Sequence, residues 1–252
     1  MASHRVALGF YLTQGDLPLT RGVLPSPVLP PTALVADLGI DATHWNGFGS
    51  NIAPLARAAK AAGFINAGIS SHSDGLLRAA PLLAYYDSTR AQNGYYESLG
   101  LGVYRLAAGI DSVFPVLVPS RNDSAPRAGH ALQLGQGPGA PRGPLSDRAS
   151  MLVPFLGPGG PRGGSFHYIS AIEILNGELP AGELEGKIVL VGTTAPGLQD
   201  LRATPVGPTF PGVEVHANVI SALLDKRFLA QPDYGLGYEV AVLALAGLAL
   251  AL

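Results

Sequence analysis

The C-terminal stretch constrains the fold of this chain more than any other part of its sequence. Residues 240–252 read VAVLALAGLALAL and contain no charged or hydrogen-bonding side chain. A helix on the surface of a globular protein needs a polar face, which this stretch lacks. A membrane span, in contrast, is apolar all round for roughly 20 residues. We therefore expect residues 238–252 to be the truncated start of a transmembrane helix; a buried terminal helix is the alternative.

The remainder of the chain has the composition of a globular domain. The sequence has 252 residues, 47% of them hydrophobic, which is enough for a sizeable core without disulfides or metals. Its formal net charge of −2 lacks the basic excess that favours a phosphate backbone, so we expect no nucleic-acid partner. Cysteine is absent, which excludes thiol catalysis and cysteine-based zinc sites. The six histidines form no i, i+4 pair, and no metal site or cofactor is predicted.

Strand-like and helix-like segments alternate along residues 1–237, which we take as a single domain. Residues 6–11 and 64–70 predict strands, and residues 95–108 predict an amphipathic helix that ends at a glycine. Residues 54–63 predict another helix, with a proline near its start and a glycine at its end. The alternation predicts an α/β fold in which helices pack on a mixed sheet.

One loop follows a strand-like run in the way that ligand-binding loops of α/β proteins do. Residues 188–191 are strand-forming, and they stop at Gly192-Thr193-Thr194, on the way to Asp200. Ligands of α/β proteins bind beside the carboxyl ends of strands, so Thr193, Thr194 and Asp200 are candidate ligand contacts. In the alternative interpretation the hydroxyls cap the loop's own backbone. The sequence contains no phosphate-binding P-loop and no nucleophile elbow, and no catalytic residue is predicted.

The helix predicted over residues 213–227 has a polar stripe and an apolar face. The polar stripe consists of Glu214, Asn218, Ser221 and Asp225. His216 falls on the apolar face in the first turn, where the helix N-terminus disfavours its cation and burial demands a hydrogen bond. We expect the loop of residues 192–200 to supply that bond. The contact is either a plain core contact or part of a ligand-binding or pH-sensing site.

Asp74 and Arg78 form a further candidate pair of ligand contacts. Asp74 and Gly75 together are a turn signal, and residues 76–83 predict a strand after it. In the simpler interpretation Asp74 shapes the turn while Arg78 points to solvent from the strand. The residues alone leave both interpretations open.

Several short blocks, taken in their order along the chain, resemble one known family. These blocks are AGFIN at 62–66, SDGLLR at 73–78, ESL at 97–99, PLSD at 144–147, MLVPF at 151–155, GKIVLVGTT at 186–194, QD at 199–200, TP at 204–205 and PGVEVHAN at 211–218. Their order and spacing resemble the second type of CHASE domain, the cyclase/histidine-kinase-associated sensory extracellular family. The resemblance covers roughly residues 5 to 236.

The resemblance implies that residues 1–237 are an extracytoplasmic sensor domain that lacks the family's N-terminal part. In such bacterial receptors the sensor lies in the periplasm or the extracellular space, held in the inner membrane by helices on both sides. An adenylate or guanylate cyclase, a histidine kinase or a Ser/Thr kinase then lies in the cytoplasm. The implied partners are the membrane through the C-terminal helix, an unidentified small-molecule or protein signal, and a second copy in a homodimeric receptor.

An enzyme is the alternative to a sensor. An α/β hydrolase-like enzyme would use His216 with the hydroxyl of Thr193 or Thr194, or with Asp200. Such an enzyme needs a hydroxyl within hydrogen-bond reach of the imidazole and a carboxylate behind the ring. The geometry of these residues distinguishes the two interpretations.

Overall fold

The computed structural model describes residues 5–32, 35, 38–66, 74–88, 92–118, 129–137, 140–194, 200–229 and 235–251, and these form a mixed α/β fold. The strands are β1 (Ala7–Thr13), β2 (Thr20–Arg21), β3 (His44–Trp45), β4 (Gly47–Gly49), β5 (Ala61–Phe64), β6 (Ala79–Pro81), β7 (Leu83–Tyr86), β8 (Gly94–Glu97), β9 (Val113–Val118), β10 (Gly129–Leu134), β11 (Arg142–Leu145), β12 (Ser150–Leu152), β13 (Leu201–Thr204) and β14 (Gly207–Pro211). The helices are α1 (Ala53–Ala58), α2 (Leu99–Ala108), α3 (Ala171–Leu175), α4 (Gly212–Leu224) and α5 (Gly235–Ala251), with a 3₁₀ turn over Asp147–Ala149.

The largest sheet is mixed, with the strand order β2-β4-β1-β5. β1 pairs in parallel with β5 and antiparallel with β4. Along β1 the side chains of Phe10 and Leu12 are buried while Tyr11 is exposed, as the two-residue period of a strand requires. The predicted strand at residues 6–11 is thereby confirmed. The helix predicted over residues 54–63 is wrong in its second half, because that half forms β5.

The expected single sheet is replaced by several small ones in the described part of the chain. A mixed sheet has the order β3-β7-β8, an antiparallel sheet has the order β11-β10-β9, and two strand pairs join β12 to β6 and β13 to β14. Turns and proline- or glycine-containing connections separate short strands, so no strand extends far enough to join these sheets. The α/β class is confirmed, but the prediction of one sheet was wrong.

Helix α2 lies between the first sheet and helix α4. Its N-cap is Ser98, whose Oγ accepts a hydrogen bond from the Leu101 amide, and it ends at Gly109 in the left-handed conformation. The prediction of a helix over residues 95–108 was therefore wrong at its start, where Gly94–Glu97 form strand β8. Gly63 allows the helix to begin there, since a Cβ at Gly63 would lie 2.5 Å from backbone atoms of Leu99.

Helix α4 is buried on more of its surface than the sequence predicts. Its apolar face is buried as expected and consists of Val215, Val219, Ala222 and Leu223. Glu214 and Asn218, predicted to lie on a polar stripe, are 2% and 1% exposed. The segment of residues 154–168 covers them: Asn218 Oδ1 accepts from the Leu156 amide at 3.0 Å, and Glu214 Oε1 accepts from the Gly160 amide at 2.6 Å. Buried polar groups need such partners, and the segment supplies them for Asn218 Oδ1 and Glu214 Oε1, whereas Glu214 Oε2 is buried without a partner among the described residues.

The segment of residues 171–194, hereafter the exposed segment, packs little on the rest of the protein. Helix α3 begins directly after Ser170, whose side chain makes no cap bond. The strand predicted at residues 188–191 is absent, and Val191 is 93% exposed. Among the described residues no hydrogen bond reaches the backbone of residues 188–194. The strand prediction was wrong because no neighbouring strand lies alongside to pair with this segment.

Helix α5 has 17 residues, and its side chains from Gly237 to Leu250 are exposed. The alternative of a buried terminal helix was therefore wrong. No helix within the described ranges has both the length and the apolar character needed to cross a membrane. The expected start of a transmembrane helix is thus not confirmed.

Candidate functional site

Asp74 and Arg78 form an ion pair on the surface. The Arg78 guanidinium donates to both Asp74 oxygens, at 2.9 and 2.6 Å, and Asp74 Oδ1 also accepts from the Leu76 amide at 3.1 Å. The hydrogen bond to Asp74 raises the pKa of Arg78 above its ordinary value. The two side chains remain 45% and 35% exposed. Asp74 thus shapes the turn, as the simpler interpretation expects, but Arg78 precedes β6 and is held by Asp74. The prediction that the pair contacts a ligand stays a prediction.

The loop that begins at Gly192 contacts the first turn of α4. A Cβ at Gly192 would lie 2.6 Å from Val213, and the Asp200 carboxylate lies directly against Gly212. The Gly212 amide donates to the Asp200 carbonyl at 2.8 Å. Burial raises the pKa of the Asp200 carboxyl, and Arg202 at 3.7 Å opposes that rise. Asp200 therefore closes the loop onto the positive end of a helix dipole.

The two threonines of this loop are not held in a common site. Thr193 is exposed and Thr194 is half-buried, and neither hydroxyl has a hydrogen bond to another described residue. Residues 195–199 lie outside the described residues. The prediction that Thr193 and Thr194 contact a ligand stays a prediction.

His216 is partly buried on α4 and contacts the backbone that follows β5. The imidazole hydrogen-bonds the backbone of Ile65, just after β5, and burial lowers the pKa of His216 to about 4. Residues 192–194 and Asp200 make no hydrogen bond to His216, and residues 195–199 lie outside the described residues, so a bond from this loop stays a prediction. No hydrogen bond joins His216 to Thr193, Thr194 or Asp200 in the described structure, so the arrangement that a hydrolase needs is not assembled there.

A small polar cleft lies elsewhere, at the start of α2. It has a volume of about 250 Å³ and is lined by residues 26–28, Ala62, Tyr96, Glu97, Arg105 and Asp111. Glu97 is the last residue of β8, and Arg105 lies in the last turn of α2. Strand β8 therefore positions Glu97, and helix α2 positions Arg105. Arg105 Nη1 lies 2.7 and 2.8 Å from the two Glu97 oxygens.

The ion pair under the cleft is largely buried. The Arg105 and Glu97 side chains are 15% and 11% exposed. Burial raises the pKa of the Glu97 carboxyl above its ordinary value, although the charge and hydrogen bonds of Arg105 oppose the rise. Arg105 is further fixed by its Nε, which donates to the Ile110 carbonyl at 3.2 Å, and by Nη2, which donates to the Asp111 carbonyl at 2.6 Å.

Two of the residues that line the cleft, Asp111 and Ser26, have polar side chains without a partner among the described residues. The Asp111 carboxylate and the Ser26 hydroxyl are exposed and make no hydrogen bond to them. In the same ranges no three His, Asp or Glu side chains group closely enough to hold a metal ion. The sequence does not indicate this cleft, because residues 95–108 predict an amphipathic helix and Glu97 then lies within that helix rather than at the end of a strand. The only signal was the ESL block at residues 97–99.

The fold and these sites define a mixed α/β domain with a small polar cleft, in which the predicted nucleophile and base are not joined. The family model of the CHASE2 domain matches residues 8–252. The chain therefore belongs to the CHASE2 family, a family of extracellular sensory domains, which confirms the resemblance seen in the sequence. No curated protein matches the chain, and no solved structure matches it.

Proposed function

We propose that this chain is the signal-input domain of a bacterial receptor in the inner membrane and that it lies in the periplasm or the extracellular space. The CHASE2 match over residues 8–252 carries this proposal, because domains of this family are sensory and extracellular. A sensory domain acts through an output, which we propose to be a cytoplasmic adenylate or guanylate cyclase, histidine kinase or Ser/Thr kinase.

Helices α2, α4 and α5 offer a route for the signal. The cleft lies against both Glu97, just before α2, and Arg105, near its end. α2 contacts α4 so closely that a Cβ at Gly100 would lie 3.0 Å from Val219 Cγ1. The chain then continues from α4 to α5. A bound signal molecule moves α2, and α4 and α5 with it, from one arrangement to another only if the molecule binds the second arrangement more tightly than the first.

Helix α5 supports the proposed contact with a membrane. It contains one charged residue, Glu239, and it exposes apolar side chains that solvent does not favour. These exposed side chains are Tyr238, Val240, Val242, Leu243, Leu245, Leu248 and Leu250. Lipid is the environment that suits a helix apolar on all sides. We further propose that the receptor assembles as a homodimer.

The absence of cysteine from this chain makes the proposal testable by labelling. In the full receptor, with any cysteines outside this chain replaced, Leu17→Cys places a thiol at a side chain that is 95% exposed. We expect a membrane-impermeant maleimide to label this variant in intact spheroplasts. The matched control is Ala222→Cys, at a side chain that is 0% exposed, which we expect to react only after denaturation. Labelling of Leu17→Cys only after lysis would place the domain in the cytoplasm and contradict the proposal.

A further inference from the structure

We infer that the cleft above the Glu97–Arg105 ion pair binds a small organic cation that carries a primary ammonium group. The inference deepens the proposed sensory function, on which it rests, by giving the chemical class of the signal. It depends on three features of the cleft: its size, the charge that remains after the ion pair is formed, and the number of free acceptors.

The size of the cleft limits the ligand to a small molecule. Its volume of about 250 Å³ corresponds to roughly eight water molecules at about 30 Å³ each. Pockets for drug-sized ligands begin at roughly 300 Å³. A peptide or a nucleotide therefore exceeds the cleft, whereas an amine of a few carbon atoms fits it.

The charge of the cleft favours a cation. Glu97 and Arg105 neutralise each other at a distance of 2.7 Å, and Asp111 adds one negative charge that no described residue balances. All three nitrogens of the Arg105 guanidinium already donate, to Glu97, to Ile110 and to Asp111, so little of its donor capacity is left for an anion. An anionic ligand would also face two carboxylates.

The free acceptors match the donors of an ammonium group. Such a group has three N–H donors and no acceptor. The cleft offers the Asp111 carboxylate, the Ser26 hydroxyl and the unused lone pairs of the Glu97 carboxylate. These acceptors come from three separate segments: the loop before β3, the end of β8, and the turn after α2. An ammonium group that contacts all three segments would link both ends of α2 to the neighbouring loop.

The binding test uses the full 252-residue chain and three probes of equal length. The probes are n-butylammonium, 1-butanol and butyrate, which differ in charge and hydrogen bonding but share their carbon chain. Each is titrated while the backbone amide resonances of Ser26, Glu97 and Asp111 are followed by two-dimensional NMR. We expect saturable shifts of these resonances with n-butylammonium and none with the other two probes. Equal shifts with 1-butanol or butyrate, or with potassium ion at the same concentration, would overturn the inference.

A pair of charge-removing variants localises the binding. Asp111→Asn keeps the size and exposure of the side chain, and we expect it to weaken n-butylammonium binding about tenfold, as loss of a charge-assisted hydrogen bond does. Asp16→Asn removes a carboxylate that is exposed and outside the cleft, and we expect it to leave the binding unchanged. Equal binding by Asp111→Asn and the parent would overturn the inference.

The NMR binding test and the labelling test on the receptor address separate claims, so each can give a negative result without the other. Binding without labelling of Leu17→Cys in spheroplasts would support the cleft and contradict the extracytoplasmic location. Labelling without binding would support the receptor and overturn the ligand class.

Discussion

Helix α2 and the exposed segment both contain leucine side chains, but they pack very differently. Leu101 of α2 is 0% exposed, whereas Leu175 of α3 is 81% exposed. Helix α2 lies between a sheet and α4, while residues 188–194 of the exposed segment have no backbone hydrogen bond to any described residue. The local sequence therefore does not decide burial in this protein. A neighbouring element decides it, and four comparisons between matched variants test that conclusion.

The largest difference in the free energy of unfolding is expected between variants of two ion pairs. Arg105→Met leaves the buried Glu97 carboxylate without its partner, and we expect a loss of about 4 kcal/mol in the free energy of unfolding. Lys187→Met breaks the pair with Glu183 on the exposed segment, and we expect no change in the urea midpoint, because water solvates both groups. Urea unfolding of both variants at neutral pH measures the difference. Equal midpoints would mean that water reaches Glu97.

The same truncation in two helices gives the next largest difference. Leu101→Ala removes a side chain from the core, and we expect it to lower the free energy of unfolding by about 3 kcal/mol. Leu175→Ala makes the same change where the side chain is exposed, and we expect a change within about 0.5 kcal/mol. Urea unfolding monitored by circular dichroism checks both. A loss of more than about 2 kcal/mol in Leu175→Ala would show that the exposed segment packs in solution.

His216 makes the packed region sensitive to acid. Because burial lowers the pKa of His216 to about 4 from an ordinary 6.5, the unfolded chain binds a proton first as the pH falls. The stability contributed by neutral His216 is complete above pH 6.5 and is lost as the pH falls towards 4. We expect a loss of about 1–2 kcal/mol between pH 7.5 and pH 5.

The matched variants separate His216 from the carboxylates. Glu97 and Asp200 have raised pKa values, so their protonation has the opposite effect on stability as the pH falls. His216→Gln should therefore remove the acid-dependent loss, and His167→Gln, at an exposed side chain, should retain it. Urea midpoints at both pH values decide this. The same pH dependence in His216→Gln and the parent would assign the loss to another group.

The smallest difference lies within α2 itself. A Cβ at Gly102 would lie 3.5 Å from Glu97 Cδ, an ordinary contact, so Gly102→Ala should gain up to about 1 kcal/mol from helix propensity. A Cβ at Gly100 would lie 3.0 Å from Val219 Cγ1, so Gly100→Ala should gain less or lose stability. Thermal unfolding resolves the two. A larger gain in Gly100→Ala would show that α2 and α4 move apart easily.

The sequence predicted those elements whose signals are local. The start of α4 directly after Pro211, the end of α2 at Gly109, and strand β1 follow from backbone preferences of a few residues. The family was also recognisable from short ordered blocks, because their order and spacing can be read from the sequence without knowing how the chain packs.

What the sequence did not predict depends on distant neighbours. Residues 188–191 have the composition of a strand, but a strand needs a partner that local composition does not report. Glu214 lies on a polar stripe whose burial depends on a segment some fifty residues away. The cleft at Glu97 was missed for the same reason, since its lining comes from four separate parts of the chain.

The two hydrogen bonds that fasten residues 154–168 to α4 also fix how many residues that segment contains. Asn218 holds Leu156 and Glu214 holds Gly160, so a spacing of four along the helix matches a spacing of four along the segment, in the opposite direction. One residue inserted or deleted between these two anchors breaks the match and leaves a buried carboxylate or amide unsatisfied. We therefore expect natural variants to keep the length of this stretch and also Gly159, where a Cβ would lie 2.7 Å from Phe210, whereas we expect insertions in the exposed segment.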